Sequence, residues 1–260
     1  MRVAFVGWGA VSRRAASLVD KQIEIVAVAT RQRIAKDDLP AGAQSIVELQ
    51  ELGASRPELV VEAASQSAVE PWAMAAFECG ADFIVSSLSA FADASVLNRL
   101  VETAKTNGCQ LEVHAGALGA IDALSAAKLA GLDKVEHRII KPPTAWLGTE
   151  AEKFCDLRAI KQPVEFFSDS ATTTAKMFPQ NANVAMTTAL AGLGPDLTQV
   201  VLVADPNATT NRHELTAHGT FGALRLEISN KPLADNPKSS ALTAYSLARC
   251  INNRLTRLII

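Results

Sequence analysis

Over the first 114 residues, short unbroken apolar runs alternate with helical stretches, and after His114 the pattern changes. Arg2–Val6 is a β-branched, apolar run that ends in Gly7-Trp8-Gly9-Ala10-Val11-Ser12, and a helical stretch follows through Val19. Ile23–Ala29 is a second, continuously apolar strand. Runs of this kind suit strands buried on both faces, as in a parallel sheet. Leu59–Ala63, Phe83–Ser86 and Gln110–Val113 read as further strands, separated by helices over Ala68–Cys79 and Ala94–Asn107. The alternation predicts an α/β fold with a doubly wound, Rossmann-type parallel sheet.

Beyond His114, Gly116-Ala117-Leu118-Gly119-Ala120 leads into an alanine-rich helix, and Lys134–Ile140 reads as a strand stopped by Pro142 and Pro143. Val164–Phe167, Val200–Ala204, Arg212–Ala217 and Ala223–Ile228 are further strands, the last two forming an antiparallel hairpin across Gly219 and Gly222. A final helix near Ser240–Leu255 is expected to return to the first domain. The predicted organisation is a dinucleotide-binding domain of residues 1–114 plus 236–260 and a mixed α+β domain of residues 115–235 that binds substrate.

Composition narrows the functional classes. With 25 Lys and Arg against 27 Asp and Glu, nothing points to nucleic acid or to a polybasic membrane contact. No apolar run approaches the length of a bilayer span, and the N-terminus enters a strand without the regions of a signal peptide. A soluble, cytoplasmic protein is expected. Cys79, Cys109, Cys155 and Cys250 are scattered without a CxxC or any metal-ligand spacing, so reduced thiols and no metal site are expected.

The first candidate chemistry is the glycine turn. In a Gly-x-Gly-x-x-Gly turn the first glycine makes the bend and the second lets backbone approach a pyrophosphate, while the following helix offers free N–H groups. Gly7 and Gly9 are in place, Ala10 and Val11 open the helix, and Ser12 stands where the third glycine would be. The turn lies between a strand and a helix, which makes the match specific. The second strand ends in Thr30-Arg31-Gln32-Arg33, without the carboxylate that binds a ribose 2′-OH in NAD-selective sites. Two guanidiniums and a hydroxyl suit a 2′-phosphate, so NADP is expected to bind at least as well as NAD.

The second candidate chemistry is histidine. His213 shares a strand face with Leu215 and Ala217 and so points toward an apolar interior, whereas His218 falls on the other face with Glu214 and Thr216. His114 ends the last strand of the first domain, and His137 lies within a strand between charged neighbours. Position alone favours a structural role for a lone strand histidine.

Several motifs in order resemble the L-aspartate dehydrogenase family of the NAD-biosynthesis branch. They are Gly7-x-Gly9, Glu62-Ala63-Ala64-Ser65, Ser86-Ser87-Leu88-Ser89-Ala90, Gly116–Asp122 and Lys141-Pro142-Pro143-x-Ala145-Trp146. Phe178-Pro179-Gln180-Asn181-Ala182-Asn183-Val184, Asn211-Arg212-His213-Glu214-Leu215 and Asn236-Pro237-Lys238-Ser239-Ser240 complete the set. They span nearly the whole chain, and the two asparagine-containing motifs are the specific ones. The resemblance implies two domains, the second catalytic and dimer-forming, in a homodimer. It implies reversible oxidative deamination of L-aspartate to oxaloacetate and ammonia through iminoaspartate, with NAD or NADP. It makes His213 the catalytic residue and places Ala117 and Asn183 at the nicotinamide side, with Ala64 and Ser65 among the cofactor-binding residues.

The chemistry asks for such residues. Loss of hydride from Cα requires the amino group to shed a proton, and water must then add to the imine and be deprotonated; one histidine near neutrality can do both. Two substrate carboxylates need cations or donors, for which Arg212, Lys141, Lys176, Ser168 and Ser170 are candidates. Asn181 and Asn211 fit capping or strand-end roles. Asp169-Ser170-Ala171-Thr172 departs from the family's Gly-Ser/Thr-Ala-Arg ahead of the Phe-Pro motif, which puts strict aspartate specificity in question. The competing expectations are a related two-domain reductase or dehydrogenase, dihydrodipicolinate-reductase-like or homoserine-dehydrogenase-like, and a non-catalytic NADP(H) sensor.

Overall fold

The computed structural model describes residues 1–259, the side chains of Pro237 and Lys238 excepted. The chain divides into two compact units, Met1–Gly116 with the stretch from Thr243 onward, and Ala117–Leu242.

The first unit runs β1 (Arg2–Val6), α1 (Ala10–Ala16), β2 (Glu24–Ala29), β3 (Gln44–Ile46), β4 (Leu59–Glu62), α2 (Gln66–Glu78), β5 (Asp82–Val85), α3 (Ala94–Thr106) and β6 (Leu111–Val113). All six strands are parallel, in the order β3-β2-β1-β4-β5-β6. The order reverses at β1, so the carboxyl ends of β1 and β4 flank the crevice where such sheets take ligands. Val3, Phe5, Val28, Val60, Val61 and Ile84 are fully enclosed, as their continuous apolar runs imply. β3 escaped the sequence reading because Gln44-Ser45-Ile46 carries a single apolar side chain. α1 stops at Ala16 rather than Val19, where the Ser17 hydroxyl donates to the Arg14 carbonyl at 2.8 Å.

The second unit contains α4 (Ile121–Ala130), β7 (Leu132–Lys141), β8 (Val164–Ser170), α5 (Ala171–Met177), α6 (Ala182–Ala191), β9 (Gln199–Ala204), β10 (Asn211–Gly219), β11 (Gly222–Asn230), β12 (Pro232–Leu233) and β13 (Asn236–Ser240). Five strands form one sheet, β11-β10-β7-β9-β8, and β12 pairs with β13 alone. Only β7 and β9 are parallel within the five, so the sheet is mixed. β10 and β11 form the expected antiparallel hairpin, closing between Gly219 and Gly222.

One face of that sheet is packed. Ile139, Val200, Leu202 and Ala204 meet Ala171, Phe178, Ala185 and Ala189 around the fully buried Trp146. α6 is buried along nearly its whole length, which explains why its sequence lacks a polar stripe. The opposite face carries a small cluster of Ile140, Val201 and Val203 and a network of Arg138 with Glu136, Glu165 and Glu214.

The final helix, α7 (Ala241–Asn252), ends earlier than the expected Leu255. Its Leu247, Ala248 and Ile251 pack with Val3, Phe5 and Leu59 in the first unit. Residues 236–242 remain with the second unit, where β13 pairs with β12. All four cysteines are free. Among the described residues no helix is long and apolar enough to cross a membrane.

Candidate active site

The glycine turn of the first unit has the shape a dinucleotide needs. Gly7 has φ +89, and a Cβ there would lie 2.7 Å from both the Ala63 carbonyl oxygen and the Ala64 Cβ. Only glycine fits, because the β1–α1 turn presses against the loop after β4. A Cβ on Gly9 would meet nothing within 4 Å, so open space lies over the turn. Gly9 caps α1 without a side-chain bond, which leaves the N–H groups of its first turn, Ala10 and Val11 among them, directed at that space. The residues therefore fit a pyrophosphate. Ser12 is fully buried and its hydroxyl has no partner among the described residues, so it packs the helix instead of reaching a phosphate.

At the end of β2 the two expected guanidiniums part. Arg33 donates to the Ser45 carbonyl at 2.6 Å and pairs with Glu51 at 2.5 Å, holding that carboxyl at about 2. It is therefore not available to a 2′-phosphate. Arg31 is exposed and without a partner among the described residues, and the Thr30 hydroxyl donates to the Gln32 carbonyl at 2.6 Å. Arg31 alone remains.

Sequence reasoning missed Glu62 as an organiser. Its buried carboxylate accepts the N–H groups of Ala64 at 2.7 Å, Ser65 at 3.0 Å, Ser86 at 3.2 Å and Ser87 at 2.9 Å, and the Ser87 hydroxyl at 2.7 Å. Burial leaves this carboxyl above its usual value although the donors pull it down. One side chain thus ties the loop after β4 to the loop after β5. The N–H groups of Ala64 and Ser65 are committed to Glu62, so either residue has only its carbonyl or side chain to offer a cofactor. His114 adds a second brace: Ser86 Oγ lies 2.8 Å from its Nε2, and Gly116 N–H donates to its Nδ1 at 3.2 Å.

In the second unit, sheet register builds a separate cluster. His213 on β10 pairs with Ile139 on β7, so His137 and Lys141, two residues to either side, share its face. His213 Nδ1 lies 3.1 Å from His137 Nε2, and His137 Nδ1 lies 2.9 Å from the Thr188 hydroxyl on α6. Burial, with the fields of His137 and Lys141, holds His213 well below its usual value. Burial lowers His137 to about 4 and Lys141 to about 8. Lys141 donates to the Asn181 carboxamide oxygen at 2.5 Å and sits 4.9 Å above the Trp146 ring. His137 was legible only as a strand residue between charges; its partnership depends on register between distant strands.

Other sequence candidates fall elsewhere. Arg212 points away from His213 and pairs with Glu214, Asp205 and Glu227 at 3.3, 3.6 and 4.0 Å, so it is not a free cation. Ser168 accepts from Gln199 at 3.0 Å, and Ser170 caps α5 by accepting from Thr173 N–H at 3.2 Å. Both lie on β8, with β7 and β9 between them and β10. At about 4.8 Å per strand, that separation is roughly 14 Å from the strand of His213. Asp169 is exposed on the same edge strand, so its carboxylate stands apart from the imidazoles. Lys176 is exposed and lines an open cleft of about 700 Å³ with Thr149, Phe178, Gln180 and Asn181. Asn181 sits at the N-cap of α6 without a capping bond, its oxygen going to Lys141 instead. Asn183 is exposed in the first turn of α6, and the Ala117 carbonyl accepts from Asn230 at 2.9 Å.

Residues 122–254 match the profile "Aspartate dehydrogenase, C-terminal". L-aspartate dehydrogenase of Brucella anthropi is 50% identical over 262 residues, covering 99% of this chain and 98% of that protein. The chain belongs to the aspartate dehydrogenase family. The crystal structure of aspartate dehydrogenase from Thermotoga maritima aligns with a TM-score of 0.82 at 29% identity, covering 100% of this chain and 99% of that one. Residues 7–114 match "Homoserine dehydrogenase, NAD binding domain", a span that takes in Gly7, Gly9 and strands β2 to β6. Dihydrodipicolinate reductase from Paenisporosarcina aligns with a TM-score of 0.54 at 17% identity, over 97% of this chain and 94% of that one, and this likeness concerns the fold alone. Membership of the aspartate dehydrogenase family thus rests on both units.

Proposed function

We propose that the chain catalyses the NAD(P)-dependent, reversible oxidative deamination of L-aspartate to oxaloacetate and ammonia, with His213 as the proton-transfer residue. The substrate class follows from the full-length likeness to L-aspartate dehydrogenase. One observation carries the chemistry: a buried imidazole, His213, depressed below its usual value, shares a sheet face with a buried ammonium, Lys141.

A cofactor would be held by Gly7, Gly9 and the N–H groups of Ala10 and Val11, with Thr30 and Arg31 at the ribose and Ala117 and Asn183 at the nicotinamide side. When bound, it supplies the hydride acceptor. His213 is neutral at pH 7 and ready to take the proton that the amino group must lose as the C=N bond forms. Once that proton has passed to solvent, the same imidazole deprotonates the water that adds to the imine and hands the second proton to the departing ammonia. Lys141 is mostly protonated at pH 7 and supplies the cation for a substrate carboxylate, with Asn181 fixing its direction. Arg31 favours NADP over NAD. We extend the proposal to a homodimer, for which the exposed Leu129 and Leu197 of the second unit offer apolar surface; sedimentation at a single-chain mass overturns that part.

The deciding assay follows cofactor reduction by a panel of amino and hydroxy acids, with NAD⁺ and with NADP⁺, and the reverse reaction with oxaloacetate and ammonia. L-Aspartate is expected to be the fastest substrate. Faster turnover of another acid overturns the substrate reading.

A further inference from the structure

Behind His213 stands a second buried imidazole to which the reaction above gives no task. The line runs from His213 Nδ1 to His137 Nε2 at 3.1 Å, and from His137 Nδ1 to Thr188 Oγ1 at 2.9 Å. It ends at the Val184 carbonyl, 3.2 Å from Thr188 Oγ1 one helical turn back. Thr188 and His137 are both fully buried, so water does not compete for these bonds.

The Thr188 hydroxyl has one hydrogen, and its direction sets every donor in the line. Donated to Val184, it leaves Oγ1 to accept the Nδ1–H of His137. His137 Nε2 then carries a lone pair and accepts the Nδ1–H of His213, whose Nε2 is left unprotonated. Donated to His137 instead, the hydroxyl reverses the line, and His213 presents Nε2–H. The first arrangement makes three hydrogen bonds and the second two. One additional bond is worth about 1 kcal/mol, a preference of roughly fivefold. His213 Nε2 has no partner among the described residues, so it is the nitrogen left for chemistry.

We infer that His137 and Thr188 are positioning residues that hold His213 as the tautomer with its lone pair on Nε2, the form that accepts a proton. Burial keeps His137 neutral down to about pH 4, so it serves as an acceptor and not as a second cation. When the substrate nitrogen passes one proton to His213 Nε2, the ring becomes an imidazolium and its Nδ1–H bond to His137 becomes charge-assisted, which strengthens it. The proton leaves by the same nitrogen, and no electron moves through either histidine. The inference rests on the proposed role of His213.

The test combines kinetics with a measurement that needs no turnover. In the full-length protein, ¹⁵N shifts of the imidazoles report which ring nitrogen carries hydrogen. His213 is expected to show an unprotonated Nε2 in the native chain and to lose that preference in His137→Phe. In that variant kcat for aspartate is expected to fall at least about tenfold with KM within about twofold, and His137→Gln, whose carboxamide oxygen accepts the Nδ1–H, restores most of it. Thr188→Val, of nearly equal shape, carries the same prediction if His137→Phe does not fold. An unchanged tautomer with unchanged kcat in either variant overturns the inference. A native chain with the Nε2 lone pair but no aspartate turnover supports the positioning and overturns the substrate reading instead.

Discussion

Lys141 Nζ lies 2.5 Å from the carboxamide oxygen of Asn181, which joins the last residue of β7 to the residue that precedes α6. The bond aims a buried ammonium along the face that carries His213. Removing the charge in Lys141→Met is expected to raise KM for L-aspartate roughly tenfold to a hundredfold, the scale of one charge-assisted hydrogen bond. Cofactor affinity should stay unchanged. Asn181→Leu leaves the charge and loses its direction, so a smaller rise is expected. Burial lowers Lys141 to about 8, so the cation is present below that pH and lost above it. KM is accordingly expected to climb as pH passes 8 in the native chain and to stay flat with pH in Lys141→Met.

His213→Ala removes the proton acceptor while leaving the first unit untouched. Turnover is expected to fall at least about a hundredfold, and fluorescence titration should show cofactor binding intact. Near-native turnover would place the proton transfer on another group.

What the sequence made legible tracks with distance along the chain. Gly7 and Gly9 were readable because the strand, turn and helix around them are contiguous; alternation with Leu215 and Ala217 put His213 on an inward face, but only the family resemblance gave it a catalytic role. His137 and Thr188 were not readable, since their meeting depends on β10 lying beside β7 and on α6 covering that face, which local pattern does not encode. Arg212 shows the opposite error. Its charge made it a candidate for a substrate carboxylate, yet it neighbours His213 on the strand and so faces the opposite side, and the structure gives Arg212 to Glu214 and Asp205. Ser170 was mistaken likewise, a helix cap standing at the sheet edge.

Arg31 is the remaining guanidinium at the end of β2. Arg31→Ala is expected to weaken NADP binding about tenfold or more and to leave NAD within about twofold, because only the 2′-phosphate needs the charge. Calorimetric titration with both cofactors checks this, and equal weakening of the two sinks the assignment. Arg33→Ala should instead lower stability through Glu51 without separating the cofactors.

Glu62 accepts five hydrogen bonds from two loops at the carboxyl edge of the first sheet. Glu62→Gln keeps the shape but turns an amide N–H₂ toward N–H donors, leaving some of them unsatisfied in a buried place, at about 1–3 kcal/mol for each group stranded. A lower melting temperature is expected together with weaker binding of both NAD and NADP, since the loop after β4 would lose its anchor. Glu62→Gln with native melting and native affinity would show that the loops hold themselves.

Acid should loosen both units through histidines that fold in neutral form. His114 in the first unit and His137 in the second are each lowered from 6.5 to about 4 by burial. The unfolded chain takes up protons first as pH falls below 6.5, so stability declines through that window and stops declining below about 4. At pH 5 the loss is about 2 kcal/mol for each ring, from about 1.4 kcal/mol per pKa unit over the one and a half units crossed. Thermal unfolding at pH 7 and pH 5 reads the effect. His114→Gln and His137→Gln cannot take the proton, so each is expected to be less stable at pH 7 but to lose less between the two pH values than the native chain. A variant that loses stability with acid as steeply as the native chain would mean that its histidine is not the group being titrated.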